Sequence, residues 1–285
     1  MSTLPKISIV TINYNGADWL ERTILSVLNQ DYPNLEYVII DAGSKDNSVE
    51  IIRKYESRLH FWISEPDGGM YEAIQKGFEK TSGDIMGWLN SDDIYHPRAL
   101  HRLAEVFTDY PEIKWLSGVP SAIDEKDNVY VPRFDEYPMW SKMRVYSGDY
   151  KWIQQESTLW RRELWQKIGG RLDTSLKYAG DFNLWLQFIK YEKLYIAPIL
   201  IGAFRQRKSG QKSIDSANEY LREAKMCYRR VTTFGFLLVP FNIFDRVMMS
   251  LPFIGRKYYE SGLRGSFGFP RRLAFDPKQQ KIVFR

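Results

Sequence analysis

Apolar and polar side chains alternate over residues 7–12, Ile-Ser-Ile-Val-Thr-Ile, and most are β-branched, which predicts a strand. Asn13-Tyr14-Asn15-Gly16 is its exit loop. The period then lengthens. Leu20, Ile24, Val27 and Leu28 form a helix stripe that Pro33 breaks. Tyr37-Val38-Ile39-Ile40 is a second, buried strand ending at Asp41. The loop 42–48 is dense in turn formers, and Asn47 with Glu50 predicts a capped helix through Tyr55. Residues 59–63 are a third strand. Pro66, Gly68 and Gly69 make a turn that no element interior tolerates. Met70, Ala73, Ile74, Gly77 and Phe78 then recur at helical spacing, Gly77 allowing a close backbone approach. Residues 85–89 are a short apolar strand running into Asn90-Ser91-Asp92-Asp93.

This β-α-β-α-β-α-β rhythm predicts an α/β fold, a mostly parallel sheet with helices on both faces. Strand ends in such a sheet point one way, so Asp41, the Glu65/Asp67 pair and Asp92/Asp93 are expected along one rim. Further on, the pattern predicts a helix from Pro97 through Phe107, a strand over 113–116 and a hairpin over 119–131 centred on Asp127-Asn128. Residues 132–150 are aromatic and irregular. Gln154-Gln155-Glu156-Ser157-Thr158 enters a polar strand, 161–168 is helical, and Asp181 heads a helix with Leu184, Trp185, Phe188 and Ile189 inside. A last strand over 196–204 leads to the basic loop 205–213.

Adjacent carboxylates at a strand end raise each other's pKa unless a cation lies between them. Hard oxygen ligands suit magnesium or manganese, which keep waters and bridge phosphates. An Asp-Asp pair alone more often caps a following helix, and Asp181 alone is an ordinary cap. The buried strand and the motifs upstream turn the reading of Asp92-Asp93 toward a ligand. No Gly-x-Gly-x-x-Gly follows the first strand, which argues against a dinucleotide oxidoreductase.

Composition narrows the class. In 285 residues, 44% hydrophobic and 26% charged content are those of a globular chain with ample core. The nine Trp are expected mostly in packing. Cys227 is the sole cysteine, so no disulfide framework forms within the chain, as suits a reducing cytoplasm. No secretory signal and no uniform membrane span is visible. The net charge of +5 is uneven: residues 203–285 hold 17 Lys+Arg against 6 Asp+Glu. A basic tail on an acidic body points to an anionic surface. Nucleic acid is not the expected partner, because no recognition motif accompanies the charge.

Four stretches, Val10-Thr11-Ile12-Asn13-Tyr14-Asn15, Ile39-Ile40-Asp41-Ala42-Gly43-Ser44-Lys45-Asp46, Ser64-Glu65-Pro66-Asp67-Gly68-Gly69 and Gly87-Trp88-Leu89-Asn90-Ser91-Asp92-Asp93, together resemble the family-2 glycosyltransferases of GT-A fold. The similarity runs over about 5–205, and is best to the bacterial branch that builds capsules, O-antigens and exopolysaccharides. It implies an inverting transfer from a nucleotide sugar, most naturally UDP-linked, to a hydroxyl of a glycan or lipid-linked acceptor. By position it implies that Asp41 recognises the uracil or ribose, with Ser44 and Asp46 in the same nucleotide loop and Asp67 beside it. Asp92 and Asp93 look like the family's Asp-x-Asp element. Asn90 replaces the first acid, which leaves the divalent cation (manganese or magnesium) to Asp93 with Asp92 nearby. Asp181 resembles the catalytic base, with Gly180 where the family often has Glu. Gln155-Glu156 resembles an acceptor-side motif.

The resemblance implies a transferase domain over 1–205, its donor half about 1–118 and its acceptor half about 119–205, followed by a basic, partly apolar helical extension over 206–285. Within 214–272, Phe234 to Phe244 is almost wholly apolar and Val247 to Ile254 continues it, with Pro240, Asp245, Arg246 and Pro252 as interruptions and Arg229, Arg230, Arg256 and Lys257 as flanks. Such a segment is expected either to lie on the anionic cytoplasmic face of a membrane or to pack back as a helical hairpin. Two other functions remain open at this point: a sugar-nucleotide-binding protein without turnover, and a nucleotidyltransferase, for which Asn15-Gly16 is a thin phosphate loop.

Overall fold

A computed structural model describes residues 4–131, 140–148, 153–207, 216–232, 235–251, 254, 258, 263–266 and 268–284. The alternating first segment forms β1 (Ile7–Asn13), followed by α1 (Ala17–Leu28), β2 (Leu35–Asp41), α2 (Ser48–Tyr55), β3 (Phe61–Ser64), α3 (Met70–Glu79) and β4 (Ile85–Asn90). Then come β5 (Ile94–Tyr95), α4 (Ala99–Asp109), β6 (Trp115–Val119), β7 (Ala122–Ile123), β8 (Val129–Tyr130), α5 (Lys142–Tyr146), β9 (Thr158–Arg161), α6 (Arg162–Lys167), α7 (Gly180–Phe188), β10 (Tyr195–Leu200) and β11 (Gly202–Arg205). The tail adds α8 (Ala217–Val231), α9 (Val239–Ser250), and the antiparallel pair β12 (Leu273–Asp276) and β13 (Lys281–Phe284).

Seven strands make the main sheet in the order β10-β6-β9-β4-β1-β2-β3. Its pairs are parallel except those of β9, which runs against both β4 and β6. A second sheet, β5-β11-β7-β8, includes the expected hairpin, with Asp127 at φ 63° in its turn. Two-residue alternation sends neighbours to opposite faces. Ile9 and Ile39 join Leu20, Ile24, Leu100 and Leu103 of α1 and α4 in one core. Val10 and Val38 join Ile74 and Phe78 of α3 in the other. Gly77 allows that contact, since a Cβ there would lie 2.4 Å from Val10 Cγ1. Of the eight Trp among the described residues, six are buried. Trp185 stacks on Trp115 at 5.4 Å and on Trp88 at 6.1 Å, so the tryptophans serve mainly as packing.

Four local expectations change. The single strand expected over 196–204 divides into β10 of the main sheet and β11 of the second. Residues 155–157 form a single 3-10 turn, and only Thr158 onward is strand. Asn47 places no side-chain cap on α2. Asp46 does so instead, its Oδ1 accepting the Ser48 N–H at 3.0 Å while its Oδ2 accepts the Ala17 N–H at the start of α1 at 3.0 Å. One carboxylate thus meets the positive ends of two helices. The helix expected from Pro97 starts at Ala99, behind a left-handed Arg98.

The tail does not stand apart. Ala224 and Cys227 of α8 are buried in the second core, so packing crosses the boundary expected near residue 205. Leu273 enters the first core, and the Tyr110 hydroxyl donates to the Ile282 carbonyl at 2.9 Å. Among the described residues no helix is long and apolar enough to cross a membrane. Of the tail positions singled out by sequence, Phe234, Pro252, Arg256 and Lys257 lie outside the described residues, as do 208–213 of the basic loop and 132–139 and 149–152 of the aromatic and acceptor-half stretches.

Candidate active site

Strand register sets the rim. Asn13 is paired with Asp41, and Asp41 with Ser64, so three polar ends stand side by side on β1, β2 and β3. Asp41 is fully buried and takes four hydrogen bonds: from Asn13 Nδ2 at 2.7 Å, Ser44 Oγ at 2.5 Å, the Ser44 N–H at 2.9 Å and Ser64 Oγ at 2.6 Å. Ser44 Oγ in turn accepts the Asn15 N–H at 2.8 Å. Hydrogen bonds from Ser48 and Ala17 outweigh burial at Asp46 and hold its carboxyl below the usual range. Asp67, in the turn before α3, accepts the Gly69 N–H at 2.8 Å through Oδ1, while its buried Oδ2 has no hydrogen-bond partner among the described residues. Burial, with Asp41 nearby among the lesser causes, raises its pKa.

The four residues after Leu89 divide their work. Asp93 turns inward and is 1% exposed. Its Oδ1 accepts the Arg205 N–H at 2.9 Å and its Oδ2 accepts from Asn90 Nδ2 at 3.2 Å. Asp92 faces outward, its Oδ2 paired with Arg207 at 3.0 Å. Arg205, expected at the start of the basic loop, is wholly buried. Its guanidinium donates to the Asp92 and Asp124 carbonyls at 2.7 and 2.8 Å, pairs with Asp127 at 2.7 Å and lies 4.4 Å over Trp19. This clamp fixes the turn that carries Asp92.

Beneath the turn, Gln155 donates to the Trp88 carbonyl at 2.5 Å. Glu156 is buried, its Oε1 without a hydrogen-bond partner among the described residues. Burial, reinforced by the charges of Asp92 and Asp181, pushes its carboxyl up to about 8. Asp93 is raised by burial and by Asp92 and Glu156, and Asp92 by burial against the pull of Arg207. Asp92, Asp93, Glu156 and Asp181 therefore share one electrostatic neighbourhood.

Asp181 lies in the first turn of α7. Burial raises its carboxyl to about 6, against hydrogen bonds from its own turn and from Tyr220. Its Oδ1 has no hydrogen-bond partner among the described residues. Gly180 is needed because a Cβ would sit 2.6 Å from the Tyr71 ring, which leaves no room for the Glu common in the resembled family. Tyr71 Oη donates to the Tyr178 carbonyl at 2.7 Å. Glu223 of α8 accepts the Lys177, Tyr178 and Ala179 N–H groups at 2.8–3.2 Å. Tyr71, Tyr220, Glu223, Arg205 and Arg207 went unrecognised as site residues in the sequence. Glu223 and Tyr220, three residues apart on one helix face, are the signal that could have been read.

The donor set fits a divalent cation. Clustered, raised carboxyls call for positive charge, and an ion of the magnesium type needs only one or two protein carboxylates when phosphates and waters complete its shell. Among the described residues no three His, Cys, Asp or Glu side chains converge as a ready-made cage. Asp92 and Asp93 are the residues that would hold the ion, each carboxylate already engaged by protein donors, Asp93 by Arg205 and Asn90 and Asp92 by Arg207.

A family model described as glycosyl transferase family 2 matches residues 8–171. An uncharacterized glycosyltransferase of Mycobacterium tuberculosis is 40% identical over 205 residues, 70% of this chain and 74% of that protein. Another from Rickettsia typhi is 27% identical over 195 residues, 67% of this chain and 61% of that protein, so the chain spans about three-fifths of that relative's length. The crystal structure of S. aureus TarS 1-349 in complex with UDP-GlcNAc superposes with a TM-score of 0.60 at 17% identity, over 78% of this chain and 66% of that one. At that identity the likeness is one of fold.

Proposed function

The chain belongs to glycosyl transferase family 2, and we propose that it transfers a sugar from a UDP-linked donor to a hydroxyl of a glycan or lipid-linked acceptor, with inversion at the sugar carbon. The observation that carries this reading is Asp181, a carboxylate with an unpartnered oxygen and a pKa raised to about 6, in the electrostatic neighbourhood of Asp92. A base of that pKa is largely ionised at neutral pH yet basic enough to accept a proton in the transition state. The binding of UDP-GlcNAc by TarS supports the choice of donor.

In this reading Asp41, Ser44 and Asp46 form the nucleotide end. Asp41 already takes four hydrogen bonds, so a uracil N–H reaches it only in exchange for one of them, and Ser44 Oγ on the half-buried loop is the donor best placed to turn away. Arg207 neutralises the pyrophosphate beside Asp92. A divalent cation held by Asp92 and Asp93 would supply further charge stabilisation to the leaving group. Asp181 takes the acceptor hydroxyl's proton as the new C–O bond forms. The bond from the sugar carbon to the phosphate oxygen breaks on the opposite side, and UDP departs with its electron pair. Gln155 and Glu156 floor the acceptor side, Glu156 as a neutral acid at pH 7.

The test is UDP release from UDP-sugars in the presence of acceptor hydroxyls, with Asp181→Asn as the variant. UDP should raise the melting temperature of both proteins, and transfer by the variant should fall about 10²–10⁴-fold. Near-parental transfer by Asp181→Asn removes the base assignment. Binding of UDP without any turnover would make the protein a sugar-nucleotide binder.

A further inference from the structure

Helix α9 is built inside out. Its buried positions are polar: Asn242 is 7% and Asp245 2% exposed. Asn242 donates to Ser147 Oγ at 2.8 Å, just past α5. Asp245 forms a buried pair with Arg264, whose Nε and Nη2 donate at 2.8 and 3.2 Å. Arg264 in turn lies 4.0 Å over the Phe269 ring. Its exposed positions, Arg246 and Ser250 apart, are apolar: Ile243 and Val247 are 56% and 52% exposed, one helical turn apart, and Phe241 and Phe244 are about half exposed beside them. Leu251 and Ile254 continue the apolar surface past the end of the helix.

A helix bathed in water does the reverse, presenting its polar stripe and burying its apolar one. Contiguous exposed apolar surface on a folded chain marks contact with something apolar. The surrounding charge says what. Arg246 is exposed on the same helix, and α8 presents Arg222, Lys225 and Arg229 outward around an open groove of about 450 Å³. Residues 203–285 carry 17 Lys+Arg against 6 Asp+Glu. Two copies of so basic a segment repel each other, whereas an anionic lipid surface attracts it and offers hydrocarbon beneath its headgroups.

We propose that α9, with Leu251 and Ile254 beyond it, seats this protein on an anionic bilayer, the apolar face of α9 lying among the headgroups and upper acyl chains while its polar face stays on the protein. The contact is monotopic. It goes beyond the transfer reaction and stands independently of it.

The experiment is co-sedimentation of the full chain with vesicles of phosphatidylglycerol and phosphatidylcholine, beside vesicles of phosphatidylcholine alone. The parent should pellet with the anionic vesicles, and 0.5 M salt should weaken that binding by about tenfold or more. Ile243→Glu with Val247→Glu should lower partition by about tenfold or more with no change in melting temperature. Failure of the parent to pellet, or equal partition of parent and variant, overturns the proposal. So does a fall in the variant's melting temperature, which would mean that the face is covered within the fold. A concentration-dependent dimer in light scattering that the variant dissolves would assign the face to a second copy and overturn it equally.

Discussion

Tyr220→Phe tests the site through a residue that touches no substrate in the proposed reaction. Tyr220 belongs to α8, yet its hydroxyl hydrogen-bonds the Asp181 carboxylate from the next element in space. Burial is the main cause of the raised Asp181 pKa, and the Tyr220 bond is among those that oppose it. Removing the hydroxyl leaves burial less opposed, so the pKa rises. A hydrogen bond to a charged group is worth about 1.5–3 kcal/mol. At 1.36 kcal/mol per pKa unit this is a rise of about one to two units from the parent value of about 6. The ionised fraction at pH 7 then falls from about 0.9 to between about 0.5 and 0.1.

The assay is kcat/KM for UDP release between pH 5 and 9, which reports the free enzyme's essential base. The parent's acidic limb should bend near pH 6, and that of the variant about one to two units higher, with the two rates converging above pH 9. The same shift sets a stability trend. A folded pKa above the unfolded value means the native state holds the extra proton, so this group's contribution to stability is fully present below about pH 4 and is lost as pH rises through about 6. A variant limb that coincides with the parent's would refute the reasoning, because the hydroxyl would then be irrelevant to the base. A uniform loss of rate at all pH values would refute it too, since that is the mark of a disturbed fold.

Two further outcomes separate the remaining acids. Asp92→Asn should weaken the dependence of transfer on manganese while leaving urea unfolding unchanged, whereas Asp93→Ala should cost about 1–3 kcal/mol of stability by orphaning the Arg205 N–H; the reverse pattern would assign the cation to Asp93 alone. Asp41→Asn should lower stability, because the amide nitrogen cannot accept and leaves one inward N–H donor, of Asn13 or Ser44, unmet at about 1–3 kcal/mol; an unchanged urea midpoint would show that Asp41 does not organise the loop.

The main sheet was legible because its cues are local. Ile9 against Val10 and Ile39 against Val38 declare two buried faces, and two buried faces with helices between the strands leave few alternatives to a parallel sheet. The rim acids were legible for the same reason, since a strand end fixes where Asp41 and Asp92 emerge. Direction was not. Which of Asp92 and Asp93 turns inward depends on Arg205, more than a hundred residues away, whose backbone N–H claims Asp93 and whose guanidinium holds the Asp92 carbonyl. The antiparallel β9 was illegible because four residues carry no cue to direction, and the partners of its Trp160, Met86 of β4 and Trp115 of β6, are far away in sequence.

The tail shows the limit of reading segments by composition. Its charge and apolar runs set residues 206–285 apart as an appendage, yet α8 supplies Tyr220 to Asp181 and Glu223 to the three backbone N–H groups before α7. Those N–H groups lie just ahead of a helix N-terminus, where a carboxylate is favourable for the helix but would compete with any anion drawn to the site. Glu223 satisfies them from behind, so the loop is held without placing a second acid beside Asp181. It follows that the same short segment ties two structures together: α8 holds the base, and α9, a few residues later, offers an apolar face outward. Truncation before α8 would remove both at once. Only substitutions confined to the outer face of α9 can therefore separate where the protein sits from what its base does.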